Sequence, residues 1–270
     1  MPVFDQDVVV IGGCGHVGLP LGLAFADAGL KVTLFDVNAA VVETISAGTM
    51  PFREAGAPEV LERVLDKNLV ATTDPAVISS AEHVIIVIGT PVDDHLSLNP
   101  SVVSRAVEMI SDHLVAGQLI VLRSTVYPGT TRVVESVISR LGVQLDIAFC
   151  PERIAEGRAM TELHELPQLI AARSGKVFVR AEKLFGNLTS LMVRLSPEEA
   201  ELAKLFTNTW RYIKFATANQ LYIFANDFGL DYERIRTALA LEYPRAADLP
   251  KAGFAAGPCL LKDTLQLATF

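Results

Sequence analysis

The sequence predicts an α/β protein: a doubly wound parallel sheet, followed by an all-α central part built on one long helix. Three observations predict it. Apolar runs of strand length recur up to about residue 195, stretches of helical periodicity separate them, and the segment 197–228 contains no turn signal at all.

Taken in order, "DVVVIGG" (7–13), "KVTLFDV" (31–37), "HVIIVIGT" (83–90), "QLIVLRST" (118–125) and "QLDIAFCPE" (144–152) are rich in β-branched residues with few polar interruptions, as parallel strands buried on both faces should be. Between them "LPLGLAFADAG" (19–29), "NAAVVETISAG" (38–48), "SVVSRAVEMISDHL" (101–114) and "TTRVVESVISRLG" (130–142) carry a helical period, and glycine stands where a C-cap would. The rhythm continues less cleanly through "QLIAARS", "VRAEKLFGN" and "LMVRLS". At Pro197, with three acidic residues behind it, a helix of about eight turns should start. These signals divide the chain into residues 1–195 and a smaller helical part, 196–270.

The composition, half of it apolar over 270 residues, suffices for a large buried core. The formal charge of −8, without a basic cluster, argues against nucleic acid or an anionic membrane as partner. Neither an 18-residue apolar run nor a basic leader is present, so the expected location is the cytoplasm. Cys14, Cys150 and Cys259 lie far apart and the five histidines have no zinc spacing, so no metal is expected and any cysteine that matters acts alone.

The sharpest local motif is Gly13-x-Gly15-x-x-Gly18, enclosing His16 and Val17, after one strand and before a helix. There glycines let the backbone approach a pyrophosphate at a helix N-terminus, and Asp36, closing the second strand, can accept hydrogen bonds from an adenosine ribose. The expectation is a Rossmann-like NAD site. "GTPV" with Thr90 and Pro91, "RSTVYPGTT" with Ser124 and Thr125, and "CPERIAEG" with Glu152 follow three further strands at the ends where such ligands gather. Each also has a plainer reading: Thr125 could cap a helix, Glu152 could pair with Arg153 or Arg158, and Thr90-Pro91 could be a turn.

In sequence order "GGCGHVGLPLG", "GTPV", "RSTVYPGTT", "CPERIAEG", "AELAKLFTNTW" and "GFAAGPCLLKD" make the chain similar to the first two domains of the UDP-glucose/GDP-mannose dehydrogenase family of nucleotide-sugar 6-dehydrogenases. The resemblance implies a four-electron oxidation of the sugar C6 alcohol to a carboxylate with two NAD⁺. Cys259 would be the nucleophile, passing from thiohemiacetal to thioester. A nearby helix N-terminus and lysine suit the thiolate this requires; the plain alternative is a buried structural cysteine. Lys204 would stabilise oxyanions and Asn208, four residues on, would hold the sugar or water. Asp263 and Thr125 would position water and assist proton transfer, Glu152 would be the hydrolytic base, and Lys262 would join the cofactor site. Arg245 matches an arginine that reaches the nucleotide sugar of a neighbouring subunit; otherwise it is a surface loop residue.

Leu202, Leu205, Phe206, Trp210, Ile213, Ala216 and Leu221 form a broad apolar side of the long helix, expected to bury itself in a homodimer. Arg123 stands where many relatives have lysine, and "CPER" leans toward the N-acetylmannosamine branch whereas "CLLKD" leans toward the glucose branch. The family's third domain, which holds the nucleoside diphosphate, is not in the sequence; the expectation is a fragment that binds cofactor without oxidising sugar. A β-hydroxyacid dehydrogenase, which needs no cysteine, and a non-catalytic NAD-binding or dimerisation module are the competing readings.

Overall fold

The computed structural model describes residues 4–90, 99–254 and 258–270. Its first half alternates strands and helices: β1 (Gln6–Ile11), α1 (Gly18–Asp27), β2 (Val32–Phe35), α2 (Ala39–Ser46), α3 (Ala57–Val64), β3 (Leu69–Thr72), β4 (Ala81–Ile86), α4 (Val102–Met109), β5 (Leu119–Leu122), α5 (Thr130–Leu141) and β6 (Asp146–Phe149). Then follow α6 (Ala159–Glu165), β7 (Gln168–Ala172), α7 (Gly175–Phe185), β8 (Met192–Leu195), α8 (Pro197–Asp227), α9 (Tyr232–Ala240) and α10 (Pro258–Ala268).

The described strands form one eight-stranded sheet in the order β3-β2-β1-β4-β5-β6-β7-β8. β1 to β6 are parallel; β7 meets β6 antiparallel through Ala148 opposite Ala172 and pairs parallel with β8. The doubly wound, mostly parallel sheet is the one expected; the single reversal falls between β6 and β7, whose short runs carry no signal of direction. Val8, Val9, Val10, Val84, Ile85, Ile120 and Val121 are fully buried, and alternate residues point into separate clusters on the two faces. This explains why these strands read as continuous apolar runs.

Several elements differ from the sequence reading. The helix expected over 101–114 stops at Met109 and passes into a 3₁₀ turn at Ser111–His113. β3, α3 and α6 have no counterpart in it, each being only four to eight residues long.

The long helix starts where its caps dictate. The Ser196 side chain accepts from the Glu199 N–H while the Glu199 carboxylate accepts from the Ser196 N–H, and Pro197 needs no partner for its nitrogen. Arg173 fastens this end by binding Glu198 at 2.7 Å and Glu135 of α5 at 3.0 Å, which holds the Glu198 carboxyl down at about 2. With 31 residues α8 is about 46 Å long. It packs against β6, β7, α9 and, most extensively, α10.

Candidate active site

The turn after β1 is tight. A Cβ on Gly13 would lie 2.7 Å from the Val10 carbonyl oxygen, and one on Gly18 would lie 2.5 Å from that of Gly12, whereas Gly15 meets nothing closer than 3.7 Å. Two glycines are thus required by packing, and the third, which is exposed, leaves the backbone open to a ligand. No side chain caps the start of α1 behind Val17, but Leu19 already donates to the Gly15 carbonyl at 3.0 Å and Pro20 has no N–H, so an anion would be met by the N–H groups of the turn ahead of Leu19. Asp36 follows β2 and accepts hydrogen bonds from the N–H groups of Cys14 and Asn38, both at 3.1 Å, which places its carboxylate against the turn. His16 stacks on Phe52, with centroids 4.0 Å apart, and its Nδ1 lies 3.1 Å from Glu156. These residues fit an NAD cradle.

The parallel strands bring the other motifs to the same edge. Thr90 donates its hydroxyl to the Thr125 carbonyl at 2.9 Å and receives a hydrogen bond from the Lys262 ammonium at 3.0 Å, so α10 is tied to the ends of β4 and β5. Ser124 turns inward, its hydroxyl accepting from the Ile88 N–H at 2.9 Å. Pro91 lies outside the described residues.

On α10, Cys259, Lys262 and Asp263 are spaced i, i+3, i+4 and share one side. Asp263, 1% exposed, accepts from the Asn208 amide at 2.5 Å and lies 3.2 Å from the Lys262 ammonium. Burial pushes the Lys204 ammonium below the ordinary lysine range; Asp263, Glu152 and Cys259 oppose the shift, and Lys262 adds to it. Lys204 therefore stands within the electrostatic reach of all four. Cys259 is the second residue of α10, inside the helix rather than ahead of it, and is exposed. Cys14 and Cys150 are buried thiols pushed up to about 12, Cys14 by burial and then by Asp36, Cys150 by burial.

Glu152 pairs with neither guanidinium considered above. Its Oε2 accepts from Arg123, itself 1% exposed, and its Oε1 accepts from the backbone N–H groups of Arg153 at 2.6 Å and Ile154 at 2.9 Å. Arg245 sits apart, exposed in the Pro244–Ala246 turn, and bonds the Tyr243 hydroxyl at 2.8 Å. A cavity of about 980 Å³ opens at the opposite end of the sheet, where Lys176 and Arg180 pair with Asp146, and Arg180 also with Glu82.

Residues 6–189 match the model of the UDP-glucose/GDP-mannose dehydrogenase family NAD binding domain, and residues 198–270 match that family's central domain. The chain belongs to this family. UDP-N-acetyl-D-mannosamine dehydrogenase of Pyrococcus horikoshii is 30% identical over 268 residues, 96% of this chain and 63% of the relative. UDP-glucose 6-dehydrogenase TuaD of Bacillus subtilis is 27% identical, over 96% of this chain and 58% of its own. Among solved structures, UDP-D-ManNAc dehydrogenase from Pyrococcus horikoshii superposes with a TM-score of 0.91 at 28% identity, covering 98% of this chain and 64% of that one. A UDP-glucose dehydrogenase from Pyrobaculum islandicum gives 0.87 at 26%, covering 100% and 65%. A 3-hydroxyisobutyrate dehydrogenase of Mycobacterium tuberculosis, at 0.65 and 14%, shares the fold alone.

The chain thus spans under two thirds of the relatives it matches first. Its N-terminal part is the NAD-binding domain of this family. Two buried charged residues next to the candidate site are not legible as such in the sequence. Arg123 was visible only as a departure from lysine, and Glu201, 1% exposed, received no role although it stands one turn before Lys204. Glu201 accepts from the N–H groups of Gly129 at 2.6 Å and Thr131 at 2.7 Å and from the Thr131 hydroxyl at 2.6 Å, capping α5 and locking α8 to it.

Proposed function

We propose that the full-length protein is an NAD-dependent nucleotide-sugar 6-dehydrogenase that oxidises the C6 hydroxyl of UDP-glucose or a UDP-N-acetylhexosamine to the uronate through a thioester on Cys259. The observation that carries this reading is the gathering of exposed Cys259 with Lys204, Asn208, Asp263 and Glu152, on a helix that Lys262 ties to the strand ends at Thr90 and Thr125. When bound, NAD⁺ would accept a hydride in each of two successive oxidations.

The chain's residues supply the rest. The Cys259 sulfur attacks the C6 aldehyde carbon and later leaves it, and Cys259 suits this role because the other two cysteines are buried. The partly buried Lys204 ammonium faces charge developing on the C6 oxygen, where a donor in a dry site is worth most. Asp263 holds the Asn208 amide nitrogen, which turns the amide oxygen toward sugar or water. Glu152 takes the proton of the hydrolytic water, with Thr125 and Asp263 orienting it. Lys262, Thr90 and Asp36 join the cofactor side of the site.

The division into residues 1–195 and 196–270 and the assembly belong to the same reading. Phe206, Trp210, Ile213, Ala216 and Leu221 of α8 are exposed, a continuous apolar side suited to a second copy, whereas Leu205 of the expected set is buried inside the chain. Arg245 is exposed and able to reach a neighbouring subunit. The test is NADH formation by the full-length protein across a nucleotide-sugar panel, together with Cys259 alkylation with and without substrate. No turnover with any nucleotide sugar, or alkylation unaffected by all of them, overturns the reading.

A further inference from the structure

We infer that Arg123 is a positioning residue for the hydrolytic half of the reaction, acting through Glu152; the inference rests on the role given to Glu152 above. Arg123 is the last residue before Ser124-Thr125, and its backbone carbonyl accepts the Glu152 N–H at 3.3 Å while its side chain binds the Glu152 carboxylate. The guanidinium is fixed on its far side. One nitrogen donates to the Cys150 carbonyl at 3.1 Å and to the Gln168 side-chain oxygen at 3.0 Å, and the group lies 5.0 Å from the centroid of the Phe185 ring. With Oε1 of Glu152 held by two backbone N–H groups, the carboxylate has one orientation and a permanent counter-charge.

Stability alone is a weak reason for this arrangement. A buried guanidinium is costly, its Nε has no hydrogen-bond partner among the described residues, and apolar side chains of the same volume in place of both Arg123 and Glu152 would avoid the desolvation of the pair. What Arg123 provides is a carboxylate held rigidly near Lys204.

The step concerned is the last one. Water oxygen bonds to the thioester carbonyl carbon, one of its protons passes to the Glu152 carboxylate, the carbon–sulfur bond breaks, and the departing Cys259 thiolate takes the remaining proton of the carboxylic acid, which leaves the sugar carboxylate and the free thiol. Both hydrides have been transferred by then. Loss of Arg123 should therefore slow turnover after NADH has formed, which a general weakening of the fold would not do.

The experiment is rapid-mixing NADH kinetics on the full-length protein with saturating nucleotide sugar, followed by intact-mass measurement of quenched enzyme. Arg123→Met should keep a burst of about two NADH per site, lower the steady rate at least about 10-fold and accumulate an acyl adduct on Cys259. Arg123→Lys, which restores the charge, should recover most of the steady rate. Gln168→Leu, which frees the far side of the guanidinium and leaves Glu152 untouched, should give the same pattern more weakly and serves if Arg123→Met does not fold. Burst and steady rate falling together in these variants overturn the inference. Glu152→Gln separates the two levels: its burst without a burst in Arg123→Met removes Arg123 alone, and parent turnover in Glu152→Gln removes the role of Glu152 itself.

Discussion

Replacing Glu201 by Gln tests how α8 is anchored, because the side chain keeps its shape while one acceptor becomes a donor. In the parent, one carboxylate oxygen takes both the N–H and the hydroxyl of Thr131, and the other takes the Gly129 N–H at 2.6 Å. The glutamine oxygen can serve Thr131, which leaves the amide nitrogen opposed to the Gly129 N–H, two donors in a site 1% exposed. The loss of one charge-assisted bond, about 1.5–3 kcal/mol, and an orphaned buried donor, about 1–3 kcal/mol, is offset in part because an amide costs less to bury than a carboxylate. A net destabilisation of about 2–3 kcal/mol follows. For a chain of this size that is a fall of about 4–8 °C in the thermal midpoint, measurable by scanning calorimetry on residues 1–270. A fall below about 2 °C would refute the argument that Glu201 caps α5 and fixes α8.

Further outcomes follow from the same geometry. NAD⁺ should bind at least about 10-fold more tightly than NADP⁺, since a 2′-phosphate would meet the Asp36 carboxylate with no Lys or Arg at 37–40 to offset it; comparable dissociation constants by calorimetry would sink this. Because burial lowers the Lys204 pKa, rising pH removes its ammonium earlier than for a free lysine, so kcat should fall on a basic limb below the ordinary lysine range. Lys204→Arg, always charged, should lack that limb, and an unchanged profile would exclude Lys204 as its source. The exposed Phe206, Trp210 and Ile213 predict a dimer at tens of micromolar by light scattering, and Trp210→Glu should shift the mass toward the monomer; a monomeric parent contradicts it.

What the sequence made legible is what short-range chemistry dictates. Val8–Ile11 and Leu119–Leu122 are buried on both faces and so read directly as strands, and Ser196, Pro197 and Glu199 specify a helix start without tertiary help. The spacing of Lys204 to Asn208 and of Cys259 to Asp263 also announced shared faces. That these two faces meet was not written locally: it depends on α10 returning to pack on α8 across 55 residues, where the Asn208–Asp263 bond joins them. Arg123 was hidden for the same reason, since its partners come from after β6 and from β7, whose antiparallel direction no periodicity reveals. Leu205 and Trp210 looked alike as apolar residues of one helix, yet one is buried and the other exposed, a difference set by what the helix packs against.

The central claim is that Cys259 carries the sugar covalently. Cys259→Ser leaves the glycine turn, Asp36 and Lys204 in place, so the full-length variant should bind NAD⁺ and nucleotide sugar with little change in dissociation constant. A serine alkoxide is far harder to form at neutral pH, and an oxygen ester hydrolyses more slowly than a thioester, so kcat for uronate formation should fall by several orders of magnitude. NADH formation by Cys259→Ser at saturating nucleotide sugar decides the matter: near-complete loss of steady turnover is the expected result, and turnover close to the parent rate would leave Cys259 a structural residue and contradict the mechanism.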